Sequence, residues 1–356
     1  MNILITAPSL NPKKNVNGIS TVVKTIIDNN RIHTYYHYLL GSPDYKQTKI
    51  GWILQIISQL CIFPFAAKKN KVSLVHQNLP FDPKGLIREY IINVWCRTLK
   101  IPVVLHVHGG IFLMTGTKNI FYKNIAKSLF RNSHTVIVLS DLEKFAVERN
   151  FQFYEAVVLS NSIDTKIFIK EERKGVAIKP ILLFLGRIHE SKGIDDIYDA
   201  LALLKEKAKF KFLLCGTGPL KSLYVDKFKV LLGDDFEYLG IVSGSLKTKI
   251  IQKSDVFLLP SRYGEGLPMA LLETMSAGVV PVVTDDASMK YIVENNVNGI
   301  RVNKKDPEDL SEKLDLLLST PELYDLCSNN AQKTVTDKYD ISNYIIQLNR
   351  IYNLKK

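Results

Sequence analysis

Residues 260–278 read Pro-Ser-Arg-Tyr-Gly-Glu-Gly-Leu-Pro-Met-Ala-Leu-Leu-Glu-Thr-Met-Ser-Ala-Gly. The apolar run before them, Val256 to Leu259, reads as a buried strand. A turn rich in Gly and Pro follows. The apolar pattern from Pro268 to Ala277 then predicts a helix, with Pro268 near its first position, where a fixed φ is pre-set for helix. Strand, Gly-rich loop and helix in this order aim unpaired backbone N–H groups and the positive end of the helix dipole at whatever lies above the loop. That arrangement suits a phosphate, so Gly266, Leu267 and Pro268 are candidate ligand contacts. Glu265 lies before the helix and Glu273 inside it. Six helical residues rise about 9 Å at roughly 1.5 Å each. The two acids are therefore too far apart to share one proton or one metal ion, but they could hold the two ends of a ligand whose middle is a diphosphate. A lone Glu is ordinarily a solvated charge. Glu273 instead sits among Ala270, Leu271, Leu272 and Met275, where a carboxylate calls for a partner or a function.

Upstream, Ile181 to Leu185 is a strand that leads into Gly186-Arg187-Ile188-His189-Glu190-Ser191-Lys192-Gly193 and a helix over Asp195–Lys205. Arg187 and Lys192 bracket a turn at a strand end, where both can reach one anion, Arg as a planar fork and Lys as a point charge. Phe212 to Cys215 is the next strand. The Gly216-Thr217-Gly218-Pro219 after it lacks the third glycine of a dinucleotide fingerprint and suits a tight strand-to-helix turn beside a nucleotide. Asp285-Asp286 has no third ligand at metal-binding spacing, so no metal is expected.

The first half begins with a strand, Asn2 to Thr6, a loop, and a helix from about Ser20, with Gly18 at its mouth as an anion-tolerant start. Val72 to His76 and Pro102 to Val107 are further strands. His108-Gly109 stands at the C-terminal end of the second, the end at which ligands gather on parallel sheets. Residues 50–67 are the most hydrophobic segment. Gln55, Ser58 and Gln59 interrupt it on one helical face and Pro64 is expected to break its end. Two readings stay open: a core-facing helix, which is preferred, and a helix lying in a membrane interface. The 356-residue chain is long enough for two domains. Its four cysteines are widely spaced, against zinc or a disulfide framework. Residues 1–164 carry 19 Lys and Arg against 9 Asp and Glu, a net +10. Residues 165–356 carry 28 against 26, a net +2. A basic half implies an anionic partner, but the charges are scattered and not interleaved with aromatics, which speaks against nucleic acid.

Glu265-x7-Glu273 within Gly-Glu-Gly-Leu-Pro-x-x-x-Leu-Glu resembles the signature of the retaining GT-B glycosyltransferases of family GT4. The resemblance spans nearly the whole chain and is densest over 181–300. It implies an α/β fold with two Rossmann-like domains facing across a cleft: 1–165 with 340–356 for the acceptor, and 166–339 for a nucleotide-diphospho-sugar, with a C-terminal helix crossing back to the first. It further implies Arg187 and Lys192 on the donor diphosphate, Glu273 on the ribose hydroxyls, Glu265 on the sugar hydroxyls, His108 near sugar and diphosphate, and the segment ending at Val242 against the base. Gly18, Gly186, Gly216 and Gly218 would lie along the donor. The family usually carries Gly-Gly where this chain has Asn17-Gly18, and Glu where it has Tyr291. The implied reaction needs neither metal nor cofactor. Its substrates would be a nucleotide-sugar, a UDP-sugar favoured, and a saccharide acceptor linked to a polyprenyl diphosphate, at the inner, anionic face of the cytoplasmic membrane. Alternatives are an epimerase or phosphorylase of the same fold, an inactive partner subunit, and a basic nucleic-acid-binding protein.

Overall fold

Twelve short apolar runs pair into two parallel sheets. In chain order the strands of the first are β1 (Asn2–Ala7), β2 (Thr34–Leu39), β3 (Leu74–Leu79), β4 (Val103–Val107), β5 (Thr135–Val138) and β6 (Val157–Val158). The helices among them are α1 (Gly18–Asn29), α2 (Lys49–Lys69), α3 (Pro83–Thr98), α4 (Ile111–Thr115), α5 (Ile120–Asn132) and α6 (Asp141–Phe151). The second sheet uses β7 (Ile181–Leu185), β8 (Lys211–Cys215), β9 (Phe236–Gly240), β10 (Val256–Leu259), β11 (Val280–Thr284) and β12 (Ile300–Val302). With it go α7 (Ile194–Leu204), α8 (Lys221–Leu232), α9 (Gly244–Lys253), α10 (Met269–Ser276), α11 (Met289–Ile292), α12 (Pro307–Ser319) and α13 (Pro321–Lys338). The last helix is α14 (Ile341–Asn353). These elements come from a computed structural model that describes residues 1–11, 18–41, 49–169, 175–263, 266–285 and 289–354.

The chain divides into two compact units, Met1–Ser162 with Ile341–Lys356, and Ile163–Asp340. In the first the strand order is β2-β1-β3-β4-β5-β6, and in the second β12-β11-β10-β7-β8-β9. Every strand pair is parallel. Each order reverses direction once, between β1 and β3 and between β7 and β10. Such switch points are where open parallel sheets leave a crevice outside their strand ends. Strands β3, β4, β10 and β11 are buried along their whole length. That is why β10 and β11 read as nearly continuous apolar runs, while β3 and β4 carry the buried polar residues His76, Gln77, Asn78 and His106 among theirs. Helix α14 belongs to the first unit. Asn349 accepts from Asn30 Nδ2 at 2.7 Å, and Tyr352 is buried against His76.

Several expectations change. Helix α2 runs through Pro64 to Lys69 instead of breaking there. Of the polar residues of α2, Ser58 is exposed but Gln55 and Gln59 turn toward Gly41. Gln59 is buried, its Oε1 accepts from Gly41 N at 3.0 Å and its Nε2 donates to Gly41 O at 3.1 Å, while Gln55 Nε2 donates to the same carbonyl at 3.3 Å. The core-facing preference therefore holds only for the side carrying Phe63 and Ala67. The other side exposes Ile50, Ile53, Leu54, Ile57, Ile62 and Phe65. Among the described residues no helix is long and apolar enough to cross a membrane.

Candidate active site

The second sheet's switch point is built by three loops held together by backbone. After β7, Gly186 N donates to Cys215 O and Ile188 N to Thr217 O, both at 3.0 Å, so the turn after β7 is zipped to the one after β8. A Cβ on Gly216 would lie 1.8 Å from Gly186 O and one on Gly218 2.2 Å from Ile188 O. These two glycines are therefore required by backbone packing, independently of any ligand. The turn after β10 joins from the other side. A Cβ on Gly193 would lie 2.1 Å from Pro260 O, and Arg262 N donates to Ser191 O at 2.8 Å.

Side chains clamp the same loop. The Arg262 guanidinium forks onto Asp196, with Nε at 3.0 Å from one oxygen and Nη2 at 2.7 Å from the other, and Nη1 reaches Asp195 at 3.0 Å. Both acids sit in the first turn of α7, where the helix dipole also favours negative charge. They hold the Arg262 pKa above its ordinary value, through the Asp196 hydrogen bonds first. Tyr263 Oη donates to Glu190 Oε1 at 2.9 Å, and Thr284 Oγ1 to Ser261 O at 2.6 Å. Residues 260–263 are thus fixed to 190–196 before the loop reaches Gly264 and Glu265, which lie outside the described residues, as does Asn17.

Of the expected cations, Arg187 is exposed beyond β7 and has no ion-pair partner among the described residues. Lys192 is half-buried in a single 3₁₀ turn, Glu190–Lys192. That turn is capped on one side by His189 Nδ1, which accepts from Ser191 N at 3.1 Å, and on the other by Gly193 in the left-handed region. Pro268 caps α10 instead of opening its first turn, and the helix begins at Met269. Leu267 and Val242 are buried. Glu273 is 4% exposed, and Lys247 of α9 places Nζ 2.5 Å from its Oε1. Sequence reasoning missed this counter-ion: Lys247 reads as one of several ordinary helix-face lysines in 247–253. Arg262 lay inside the deciding stretch and received no role; its signal was the Asp195-Asp196 pair at a predicted helix start.

In the first unit Gly18 is the first residue of α1, and a Cβ there would meet nothing within 4 Å, so packing does not require a glycine. His108 follows β4 and its Nε2 lies 2.6 Å from Asn78 Oδ1. The His106 ring stacks on it at 4.1 Å between centroids, and His76 Nε2 lies 3.3 Å from His106 Nδ1. Burial lowers the pKa of His76 and of His108 to about 3, and that of His106 well below the ordinary value. All three rings are neutral at neutral pH. Asp285 pairs with Arg301 at 2.9 Å, and no group of three or more metal-ligating side chains occurs among the described residues. Tyr291, standing where the family usually has Glu, is 64% exposed on α11.

Two parallel Rossmann-like sheets with this set of strand-end residues define an α/β protein of the GT-B class. Residues 167–334 match the family model described as glycosyl transferases group 1. The chain is 30% identical over 315 residues to the N,N'-diacetylbacillosaminyl-diphospho-undecaprenol alpha-1,3-N-acetylgalactosaminyltransferase of Campylobacter jejuni, covering 81% of each chain. It is 26% identical over 295 residues to the putative colanic acid biosynthesis glycosyltransferase WcaL of Escherichia coli, covering 79% of this chain and 70% of that one. An uncharacterized glycosyltransferase of Methanocaldococcus jannaschii is 30% identical over 176 residues, and the match spans 45% of that protein. Among solved structures, Anabaena HepE with UDP and glucose has the same fold, with a TM-score of 0.77 at 17% identity over 98% of both chains. The chain belongs to the group 1 glycosyltransferases, and with them to the retaining, metal-independent enzymes of family GT4.

Proposed function

We propose that this glycosyltransferase moves a sugar from a UDP-sugar to a saccharide carried on a polyprenyl diphosphate, in the synthesis of a bacterial surface polysaccharide such as lipopolysaccharide or capsule. In this reading Ile163–Asp340 holds the donor and Met1–Ser162 the acceptor. The observation that carries it is the second unit's switch point. There Arg187 and Lys192 stand on a turn locked to residues 260–263, next to a loop-and-helix start that offers N–H groups, with the buried Glu273 further along α10. The lipid-linked acceptor draws support from the Campylobacter relative, whose name gives it one.

The reaction's difficulty is a diphosphate that leaves while positive charge grows on the sugar. Stabilising the leaving group more in the transition state than before it is what raises the rate. Arg187, Lys192 and the N–H groups at 266–269 do this as fixed donors. Glu273 accepts from the ribose hydroxyls, Glu265 from the sugar hydroxyls, and the chain near Val242 lies along the base. The bond from the sugar's anomeric carbon to phosphate oxygen breaks, and a bond from that carbon to the acceptor oxygen forms on the same face. The acceptor's proton passes to the departing phosphate oxygen. His108 and Gly18 act from the acceptor unit.

The outer face of α2 supports a membrane setting for this chemistry. Ile50, Leu54, Ile57, Cys61 and Phe65 follow one another at helical spacing, all exposed, and Ile53 and Ile62 flank them. Such a continuous apolar stripe on a surface helix marks an interaction site. Lys68, Lys69 and Lys71 at its end are exposed, and they suit an anionic bilayer. Thermal stabilisation by UDP, GDP and ADP, followed by transfer assays with a panel of sugar donors, tests the donor half. A selective UDP shift is expected, since a ligand bound only by the folded state raises stability by about 2.7 kcal/mol at a hundredfold excess over Kd. A shift with ADP or GDP in its place overturns the UDP assignment.

A further inference from the structure

Thr6 and Asn78 lie on β1 and β3, the two strands that flank the first sheet's switch point, and His108 follows β4 beside them. Asn78 is buried and doubly tied to Thr6. Its backbone N–H donates to Thr6 Oγ1 at 3.0 Å, and its side-chain Nδ2 donates to the Thr6 carbonyl at 2.8 Å. A carbonyl oxygen can only accept. The side-chain amide of Asn78 therefore cannot turn over, and its Oδ1 is the atom that faces His108 Nε2, at 2.6 Å. Two acceptors cannot share a hydrogen bond, so the proton of the neutral ring sits on Nε2 and Nδ1 keeps its lone pair. Among the described residues Nδ1 of His108 has no hydrogen-bond partner, and the residue is half-buried. A row of rings lies behind it. Tyr352 Oη lies 2.6 Å from His76 Nδ1, His76 meets His106, and His106 stacks on His108.

We infer that Asn78 is a positioning residue that fixes His108 in its Nε2–H tautomer, so that Nδ1 is presented as an acceptor for a saccharide hydroxyl and not as a donor to phosphate. The inference rests on His108 belonging to the proposed transferase site, and it deepens that reading. A lone pair attracts an O–H and repels a phosphate oxygen.

The test is the protonation state of each imidazole nitrogen in the full chain, read at neutral pH from long-range proton–nitrogen NMR spectra after labelling with 15N-histidine, with His108→Gln assigning the signals. In the native protein His108 is expected to show a protonated Nε2 and a bare Nδ1. Asn78→Leu should share the proton between the two nitrogens and lower kcat about tenfold, the loss of one tenfold factor in transition-state stabilisation. A proton on Nδ1 in the native protein overturns the inference, and that measurement needs no folded variant. An unchanged tautomer in Asn78→Leu overturns the role of Asn78. If the tautomer switches but Asn78→Leu and His108→Gln both transfer sugar at the native rate, His108 leaves the site while the tautomer assignment stands, so the two failures are distinguishable.

Discussion

Replacing Ile53, Leu54 and Ile57 together by Ser should detach the protein from anionic vesicles without unfolding it. These side chains are 47%, 62% and 51% exposed, so roughly half of each is in water, and that half is free to enter a bilayer. Full burial of such a side chain is worth about 1.5–3 kcal/mol, and half of it about 1 kcal/mol. Three together contribute about 3 kcal/mol, or roughly a hundredfold in binding at 1.4 kcal/mol per tenfold. Folding should change little, because exposed positions away from special features shift stability by about 0.5 kcal/mol or less. The assay is flotation with vesicles of mixed neutral and anionic lipid at low and moderate salt. A polarity-sensitive dye on Cys61, the only one of the four cysteines that is exposed, gives a second readout on the same stripe. Dye emission should shift on vesicle addition for the native helix and not for the triple variant. Vesicle binding by the variant within twofold of the native protein would refute the membrane reading. If the native protein dimerises and the variant is monomeric, the occupant of the stripe is a second copy of the chain.

Lys192→Ala and Arg187→Ala should each reduce transfer on the order of a hundredfold or more, the usual loss for a donor to developing charge, with the thermal midpoint unchanged; native activity in either variant sinks its diphosphate role. Lys247→Met leaves the Glu273 carboxylate buried and unpaired. Breaking a buried pair costs about 3–5 kcal/mol, less here because Lys247 is 21% exposed, so a loss of about 2 kcal/mol is expected from chemical denaturation, and a Glu273→Gln background should recover most of it. Arg262→Lys cannot reproduce the fork on Asp196, and it should lower kcat while a Rossmann-sheet circular dichroism spectrum persists. For pH, the sign follows from burial: His76 has a folded pKa of about 3, below the unfolded value of about 6.5, so the unfolded chain takes the proton first. That contribution to stability is complete above pH 6.5 and is lost as the pH falls toward 3. It amounts to about 2 kcal/mol between pH 6.5 and 5, and His76→Phe should make that part of the stability profile less steep, with His106 and His108 still contributing.

Strand ends were the legible part of this sequence. A parallel strand buried on both faces is a short apolar run, and the turn that follows must be short and Gly-rich to return the chain to a helix. Val256–Leu259 before Pro260 and Ile181–Leu185 before Gly186 therefore declared both the strand and the turn that follows it. Helices were less legible wherever both faces carry apolar residues. Helix α2 buries Phe63 and Ala67 on one side and exposes Ile50, Leu54 and Phe65 on the other, so its composition fits a core helix and a surface one equally well. The polar residues misled further, since Gln59 spends its amide on Gly41 inside the fold instead of facing water.

The counter-partners of the site were not legible, and the reason is physical. Glu273 meets Lys247 from 26 residues away in sequence, Arg262 meets Asp196 from 66, and Asn78 meets His108 from 30. None of these spacings corresponds to a helical or strand period, so no local pattern marks them. They are fixed only when β7, β8, β9 and β10, or β1, β3 and β4, are laid side by side. Local chemistry can therefore name the strand-end residues that turn geometry sets out. The residues that set the charge, fork or tautomer of those groups become visible only from sheet order. Sheet order also gives Asn78 its function: on β3, hydrogen-bonded to Thr6 of the neighbouring strand, it has one side-chain atom left to offer, an oxygen, and that oxygen decides which nitrogen of His108 carries the proton.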